Sequence, residues 1–158
     1  ISIHCNSTPK KPSTANRFEV YLLRPGRTKE AISIAEFENS VIKYEENPNR
    51  YEKLTDENFI LVSMAHSSYM KYSERFAEYL HKEFSNHPTL SSRGVKQAGF
   101  YVLVGASMPS VLIESGFLSN TNDAKHLNTS TGQQKFAEYV FSGIKKYRES
   151  YELEMQNE

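Results

Sequence analysis

The sequence predicts an α/β fold in which helices flank a mostly parallel central sheet. Short apolar runs, "RFEVYLL", "GFYVLV" and "SVLIE", are bounded by polar residues, glycine or proline and are typical of β-strands. Between and after them, apolar residues recur three and four positions apart, which is the pattern of amphipathic helices. Strands and helices that follow one another along one chain favour a layered α/β architecture.

The strands differ in how strongly their pattern predicts burial. The opening "ISIH" alternates apolar and polar residues, and "RFEVYLL" places Phe18, Val20 and Leu22 on one face. "GFYVLV" (99–104) and "SVLIE" (110–114) are nearly continuous apolar runs, which is typical of strands covered on both faces. We therefore expect those two strands at the centre of the sheet.

Three helices are predicted, at residues 28–46, at residues 56–84, and from a capping box at Thr131 onward. The polar tail at 151–158 is expected to fray. The apolar stripes of the three helices consist of Ile34, Phe37, Val41 and Tyr44; Tyr69, Tyr72, Phe76 and Leu80; and Phe136, Val140, Ile144 and Tyr147.

Length and composition limit the possible classes of protein. A chain of 158 residues has room for one sizeable core, so we expect a single domain at 1–150 with a helical insertion at 28–68. The 19 basic and 19 acidic residues balance, which gives no electrostatic signature of nucleic-acid binding. No apolar run approaches the roughly 18 residues that a membrane span needs. The single cysteine, Cys5, excludes an internal disulfide.

Two chemically active side chains close predicted strands. His4 and Glu114 both stand at a carboxyl end, where side chains from different strands of an α/β sheet converge. A carboxylate that ends an apolar run is costly to bury unless it finds a cation, a metal or hydrogen-bond donors. The residues alone leave alternatives open: a hydrogen-bonded structural histidine at His4, and a buried salt bridge at Glu114.

Two motifs contain these side chains, and both resemble those of one enzyme family. "SIHCN" resembles S-I-H-A-N, and "MPSVLIESGFLSN" resembles P-x-V-L-V-E-x-G-F-L-S-N, of the zinc-dependent N-acetylmuramoyl-L-alanine amidases. The resemblance continues through "SRGVKQAGFYVL" and the closing helix, and so covers residues 1–147. It implies an amidase/phosphorylase-like fold and hydrolysis of the amide between N-acetylmuramic acid and the L-alanine of the peptidoglycan stem peptide. That substrate implies a periplasmic or extracellular location and a role in cell-wall remodelling or daughter-cell separation.

The resemblance also implies roles for single residues. His4 would be a Zn²⁺ ligand, and Glu114 would be the general base that acts on a zinc-bound water. A catalytic zinc lowers the pKa of its bound water to about 7 and polarises the carbonyl under attack. This chemistry agrees with one residue, His4, that binds the metal and another, Glu114, that accepts the proton of the water. Spacing rather than the resemblance indicates a role for Asn6: it lies two residues after His4 on the same side of an extended chain, and would orient His4 or bind substrate, or else form a turn. Ser119 and Asn120 would cap the turn or the helix that follows Glu114, or contact substrate.

This sequence departs from the family at the other zinc ligands. Family members supply them from a D-x-G-H-G-G motif and a further glutamate, and neither occurs here. We therefore expect the chain to represent the C-terminal two-thirds of a catalytic domain. The other histidines, His66, His81, His87 and His126, are expected to be structural or solvated.

The insertion at 28–68 resembles the one in cell-division amidases. There, an inserted helix covers the zinc until an activator protein displaces it, and a glutamate from the helix occupies the open metal position. Glu38, Glu45 and Glu46 are the candidates in this sequence. A solvated acidic face of an ordinary helix is the alternative.

Other functions have weaker support. A Cys5 nucleophile with His4 as its base is excluded by geometry, because adjacent strand residues point to opposite faces. "IESGF" and "GASMP" both lack a glycine of the G-x-S-x-G elbow, which argues against a serine hydrolase. A non-catalytic peptidoglycan-binding module, or an inactive fragment of such an amidase, remains the competing interpretation.

Overall fold

A computed structural model describes residues 1–25, 28–47 and 67–157 and confirms the α/β fold. The strands are β1 (Ser2–Asn6), β2 (Phe18–Leu23), β3 (Ser92–Ala98) and β4 (Leu112–Phe117). The helices are α1 (Lys29–Asn39), α2 (Ser67–Ser85), α3 (Thr121–Leu127) and α4 (Ser130–Met155). Single 3₁₀ turns form at Ser40–Tyr44 and Tyr101–Leu103.

The sheet is mixed, with the strand order β1-β4-β2-β3. β1 pairs with β4 in parallel, and β2 pairs with β3 in parallel. The two parallel pairs meet at the antiparallel β4–β2 pairing. The predicted parallel character therefore holds within each pair but not across the middle of the sheet.

One face of the sheet packs against α2 and α4 and forms the larger core. The rings of Phe18 and Phe84 stack with their centroids 3.8 Å apart. Gly143 lets α4 approach α2 closely, because a Cβ atom there would lie 2.8 Å from Leu80 Cδ2. The predicted stripes of these two helices supply Phe76, Leu80, Phe136 and Val140 to this core. This face contains no residue proposed for chemistry.

The opposite face carries the smaller core and is covered by α1. Tyr21 and Leu112 from the sheet pack there with Ala35 of α1, and with Phe100 and Leu103 of the second 3₁₀ turn. The face is only partly apolar, because charged side chains of the same strands also point to it. The elements that cover this face are the ones for which the predictions from sequence were least accurate.

The strand predicted at "GFYVLV" is wrong. Phe100 and Leu103 are buried three residues apart in a 3₁₀ turn, while Val102 between them is 62% exposed. The strand is the preceding segment, β3, which pairs only with β2 among the described strands and buries alternate side chains partially. An edge strand needs no continuous apolar run, so its sequence lacked the signal used to find strands.

The first helix is shorter than predicted, and its predicted apolar stripe does not face the core. It gives way to a 3₁₀ turn after residue 39, and Phe37, Val41 and Tyr44 are 67, 59 and 80% exposed. The buried side is made by Ala35, with Ile34 partly buried beside it. Alanine contributes little to an apolar stripe, so the larger exposed side chains dominated the pattern.

The closing helix begins earlier and ends later than predicted. Thr129, and not Thr131, is its N-cap and accepts a hydrogen bond from the backbone of the first turn. The helix continues to Met155, where a frayed tail was expected, and Tyr151 makes an edge contact with Tyr72 of α2. No described helix is long and apolar enough to cross a membrane. The start predicted for the middle helix, at 56–66, lies outside the described residues.

A buried histidine links α2 to the next strand. His87 is 2% exposed, and its Nδ1 accepts hydrogen bonds from the backbone N–H groups of Thr89 and Leu90. Burial, with smaller contributions from His126 and Lys135, lowers the pKa of His87. A histidine that must stay neutral in the folded state but protonates freely in the unfolded chain destabilises the fold as the pH falls below about 6.5.

We therefore predict that His87→Asn flattens the acid side of the stability curve. Asparagine Oδ1 can still accept the loop hydrogen bonds but does not titrate in this range. The slope of the unfolding free energy between pH 7 and 5 should fall by up to about 1.4 kcal/mol per pH unit, the limit for one proton. Urea unfolding at several pH values measures it. An unchanged slope in His87→Asn would contradict the prediction.

Candidate active site

His4, Glu114 and Glu19 form one row across the sheet. The register pairs His4 of β1 with Glu114 of β4, and Glu114 with Glu19 of β2. Paired residues of neighbouring strands carry their side chains on the same face. The structure thus brings His4 and Glu114 together, although 110 positions separate them in sequence. This row lies on the face that α1 covers.

Both ring nitrogens of His4 have partners. Nε2 lies 2.8 Å from the hydroxyl of Ser2, two residues back on the same strand. Nδ1 lies 2.6 Å from Oε2 of Glu38, a residue of α1. The side chains of His4 and Glu38 are 30 and 15% exposed, so this contact is largely shielded from water. The α1 helix is therefore attached directly to the imidazole.

Glu114 is buried without compensation. Its side chain has no exposed surface, and neither carboxyl oxygen has a hydrogen-bond partner among the described residues. Burial is the main cause that raises the pKa of Glu114, to about 8, and the nearby carboxylates of Glu38 and Glu19 add to it. In this closed arrangement the Glu114 carboxyl holds its proton at neutral pH.

Glu19 is equally buried but fully compensated. Its Oε1 accepts from Arg93 and Lys96 of β3, at 2.8 and 2.7 Å. Its Oε2 accepts from the Tyr21 hydroxyl at 2.7 Å and from the Asn6 amide at 3.4 Å. Asn6 therefore contacts the Glu19 carboxylate in this structure. It lies two residues after His4 on β1, beside the row.

β4 continues past Glu114 to Phe117, with an irregularity in its register at Gly116, where a sharp reversal was expected. Gly116 has a φ of +151° and sits where the β1–β4 register shifts. A Cβ atom there would lie 3.2 Å from Oδ2 of Asp123. That buried carboxylate accepts from the backbone N–H groups of Phe117 and Arg17. The sequence gave no sign of the role of Asp123, because Arg17 lies 106 positions away from it.

Ser119 and Asn120, which follow β4, connect the end of that strand to the loop after β1. Ser119 Oγ accepts from the backbone N–H of Thr8 at 3.0 Å. Asn120 caps α3 with its side-chain oxygen and donates its amide to the carbonyl of Ser13 at 2.9 Å. Each of these contacts holds backbone, which is a scaffolding arrangement. It fixes the two chain segments that follow His4 and Glu114.

Of the three glutamates predicted to block the site, Glu38 is the one placed against His4. Glu45 and Glu46 are exposed beyond the 3₁₀ turn that follows α1. Asn39, next to Glu38, donates to the carbonyl of Gly99 at 2.8 Å and accepts a backbone hydrogen bond at 3.0 Å. The end of α1 is thus anchored at two adjacent residues. A cleft of about 520 Å³ adjoins Glu38, between α1 and the loop after β1.

The described residues supply part of a metal site. No group of three or more histidine, cysteine, aspartate or glutamate side chains arranged to hold a metal occurs among residues 1–25, 28–47 and 67–157. His4 and Glu38 nevertheless present an imidazole nitrogen and a carboxylate oxygen to each other, and these are two ligand types that Zn²⁺ prefers. The donor set therefore fits one side of a zinc centre.

The remaining candidate residues have other roles. Cys5 is exposed, and partial burial together with the charge of Glu114 raises the pKa of its thiol, which makes it a poorer nucleophile. His81 bonds the Ser92 hydroxyl at 2.8 Å, and His87 holds a loop. His66 lies outside the described residues. Prediction from sequence missed the Glu19 cluster, although a glutamate inside "FEVYLL" was a visible signal.

Comparisons with known proteins identify the family. Residues 1–146 match the family model described as N-acetylmuramoyl-L-alanine amidase. The amidase AmiC of Escherichia coli O6:H1 is 30% identical over 152 residues, which cover 93% of this chain and 35% of the relative. LytC of Bacillus subtilis, also an N-acetylmuramoyl-L-alanine amidase, is 36% identical over 75 residues, 48% of this chain and 15% of the relative.

Solved structures show the same fold. The amidase AmiC2 of Nostoc punctiforme superimposes with a TM-score of 0.59 at 26% identity, over 94% of this chain and 56% of that one. Ami1 of Mycobacterium smegmatis has a TM-score of 0.60 at 19% identity and supports the fold alone. The chain spans about a third of the E. coli relative and little more than half of these structures. From the match over residues 1–146, the chain belongs to the N-acetylmuramoyl-L-alanine amidase family.

Proposed function

We propose that the protein is a zinc-dependent peptidoglycan amidase. It hydrolyses the amide between N-acetylmuramic acid and the L-alanine of the stem peptide. The observation that carries the proposal is the register pairing of His4 with Glu114 on one sheet face, beneath α1. The substrate places the enzyme in the bacterial cell envelope, in the periplasm or outside the cell, where it acts in wall remodelling or daughter-cell separation.

His4 is the zinc ligand that this chain supplies. The Ser2 hydroxyl on Nε2 fixes the ring orientation, which leaves Nδ1 directed at the position now taken by Glu38. When bound, zinc supplies a Lewis acid that polarises the substrate carbonyl and makes water acidic enough to attack at neutral pH. The family pattern places the other ligands in a glycine-rich histidine motif and a further glutamate, and this sequence contains neither.

Glu114 is the general base. A carboxyl group without hydrogen-bond donors keeps a high proton affinity, and such a group accepts a proton from an attacking water more readily than a compensated one. Glu19, the other buried carboxylate of the row, is bonded to four donor groups and is unsuited to that task. The same proton then passes to the amine that leaves as the amide bond breaks.

The α1 helix is autoinhibitory. Glu38 occupies the side of His4 that faces the cleft, and its charge contributes to keeping Glu114 protonated. Moving α1 away removes both effects at once. An activator protein that binds the displaced helix would release the site, as the resemblance to cell-division amidases implies.

Substitutions at the two central residues should separate metal binding from turnover. In the protein at its natural length, Glu114→Gln should retain zinc and lose at least about 100-fold in hydrolysis, because a positioned base contributes 10²–10⁴. His4→Ala should lower the zinc content itself. Elemental analysis and the release of stem peptides from purified peptidoglycan measure the two properties.

Cys5→Ser, adjacent to His4 but exposed on the opposite face, is the matched control and should change neither property. Near-normal hydrolysis by Glu114→Gln would overturn the assigned base. A zinc-free wild-type protein that binds peptidoglycan without cleaving it would instead identify a binding module.

Removal of the Glu38 charge should raise basal activity. Glu38→Gln weakens a charge-assisted contact worth about 1.5–3 kcal/mol, so we expect at least a tenfold rise in turnover without an activator. Deletion of residues 31–47 should also raise turnover without an activator. Glu36→Gln, on the exposed side of the same helix, should leave basal turnover unchanged. A folded Glu38→Gln enzyme with wild-type or lower turnover would count against autoinhibition.

A further inference from the structure

A bulge in β3 places two cations on the site face of the sheet. The register between β2 and β3 shifts by one residue at Gly94, which has a φ of +100°. In a regular strand Arg93 and Lys96, three positions apart, would point to opposite faces. The extra residue lets both reach the carboxylate of Glu19, at 2.8 and 2.7 Å. The bulge thus builds a cationic cluster next to the His4–Glu114 row.

This cluster carries more positive charge than Glu19 needs. Arg93 and Lys96 contribute two positive charges against one carboxylate, which also accepts from Tyr21 and Asn6. Glu19 is completely buried, whereas the side chains of Arg93 and Lys96 are 35 and 27% exposed. One cation would have compensated the buried charge. The second leaves an accessible positive group with spare donor capacity, because an ammonium offers three N–H donors.

The helix α1 already places an anionic side chain beside Lys96. Glu30, in the first turn of α1, lies 3.3 Å from Lys96 Nζ and is itself 61% exposed. A cavity of about 360 Å³ lies at the same place, lined by Lys96, Glu30 and Tyr21 among others. Glu30 and Glu38 are eight residues apart, which is about 12 Å along a helix. The same helix therefore places one carboxylate on His4 and another on Lys96.

We propose that Lys96, positioned by Glu19 and Arg93, binds a free carboxylate of the stem peptide, and that Glu30 occupies this subsite while α1 is closed. The inference rests on the proposed function, since it names the part of the substrate that the cluster recognises. When α1 moves away, Lys96 loses its contact with Glu30. A carboxylate of an acidic peptide can then take the place of Glu30. Displacement of α1 then opens the metal side and the carboxylate subsite together.

The test compares two ligands that differ at one group. N-acetylmuramoyl-L-alanyl-D-glutamine carries a free α-carboxylate where the diamide of N-acetylmuramoyl-L-alanyl-D-glutamate carries a carboxamide, and in both ligands the γ-carboxyl is an amide, as it is within a stem peptide. The zinc-loaded protein at its natural length, with Glu38→Gln to release α1 and Glu114→Gln to prevent cleavage, is titrated with each ligand by calorimetry. We expect about tenfold tighter binding of the carboxylate ligand, as for one charge-assisted hydrogen bond.

Lys96→Gln in the same background should abolish this preference, while Lys96→Arg should preserve it. Glu19 keeps Arg93, Tyr21 and Asn6 as partners in both variants, so the fold is retained. Lys145→Gln on α4 removes the same charge from the other side of the sheet and should keep the preference. Equal affinity for the two ligands, no binding of either, or a preference that survives Lys96→Gln would each overturn the proposal.

Hydrolysis is measured separately, with Glu114 intact. A protein that does not cleave peptidoglycan but shows a Lys96-dependent carboxylate preference would contradict the proposed reaction and support the subsite. A protein that cleaves peptidoglycan and binds both ligands equally would support the proposed reaction and contradict the subsite. The two failures are therefore distinguishable.

Discussion

The unequal compensation of two buried carboxyl groups governs the chemistry of this sheet. Glu19 and Glu114 are register partners on adjacent strands, and neither has exposed surface. Moving a carboxylate out of water costs several kcal/mol unless donors replace the lost solvation. Glu19 receives two cations and two neutral donors, whereas neither oxygen of Glu114 has a partner in the described chain. The protein thus surrounds one carboxyl group with hydrogen-bond donors and leaves its neighbour, Glu114, with none, and burial raises the pKa of Glu114.

This arrangement explains why α1 matters for the site and not only for the core. The buried side of α1 is made mainly of alanine, while Phe37, Val41 and Tyr44 remain largely exposed. Such a face buries little apolar area, and the free energy that holds it scales with that area, at about 25 cal/mol per Å². Specific polar contacts at Glu38 and Asn39 therefore carry much of the attachment. A helix held in this way can be released without disrupting the main core between the sheet, α2 and α4.

Local sequence signals located the two central residues, but their surroundings depended on register. His4 and Glu114 were predicted to stand at the carboxyl ends of their strands, and that part of the prediction was wrong. Both lie inside their strands, β1 and β4, and parallel register rather than a shared strand end brings them together. Glu19 was not assigned to the site, since its partners Arg93 and Lys96 become neighbours only through strand pairing and a bulge. β3 was missed because an edge strand with alternating exposure resembles a polar loop in sequence. The buried side of α1 was predicted wrongly, because the large apolar residues on its exposed side have the spacing of a core stripe.

The closed state also constrains how the site can be opened. A ligand shifts an equilibrium between two conformations only by the difference in its affinity for them. Under the proposed mechanism, Glu38 and Glu30 contact groups that a substrate would need, so peptide and α1 would compete. The cost of displacing the helix would then offset part of the affinity of the open state for substrate. A partner that binds the exposed side chains of Val41 and Tyr44, which follow α1 and do not line the cleft beside Glu38, would not compete with a substrate in that cleft. Regulation from that side would therefore raise the activity of the proposed amidase without lowering the affinity of its site for peptidoglycan.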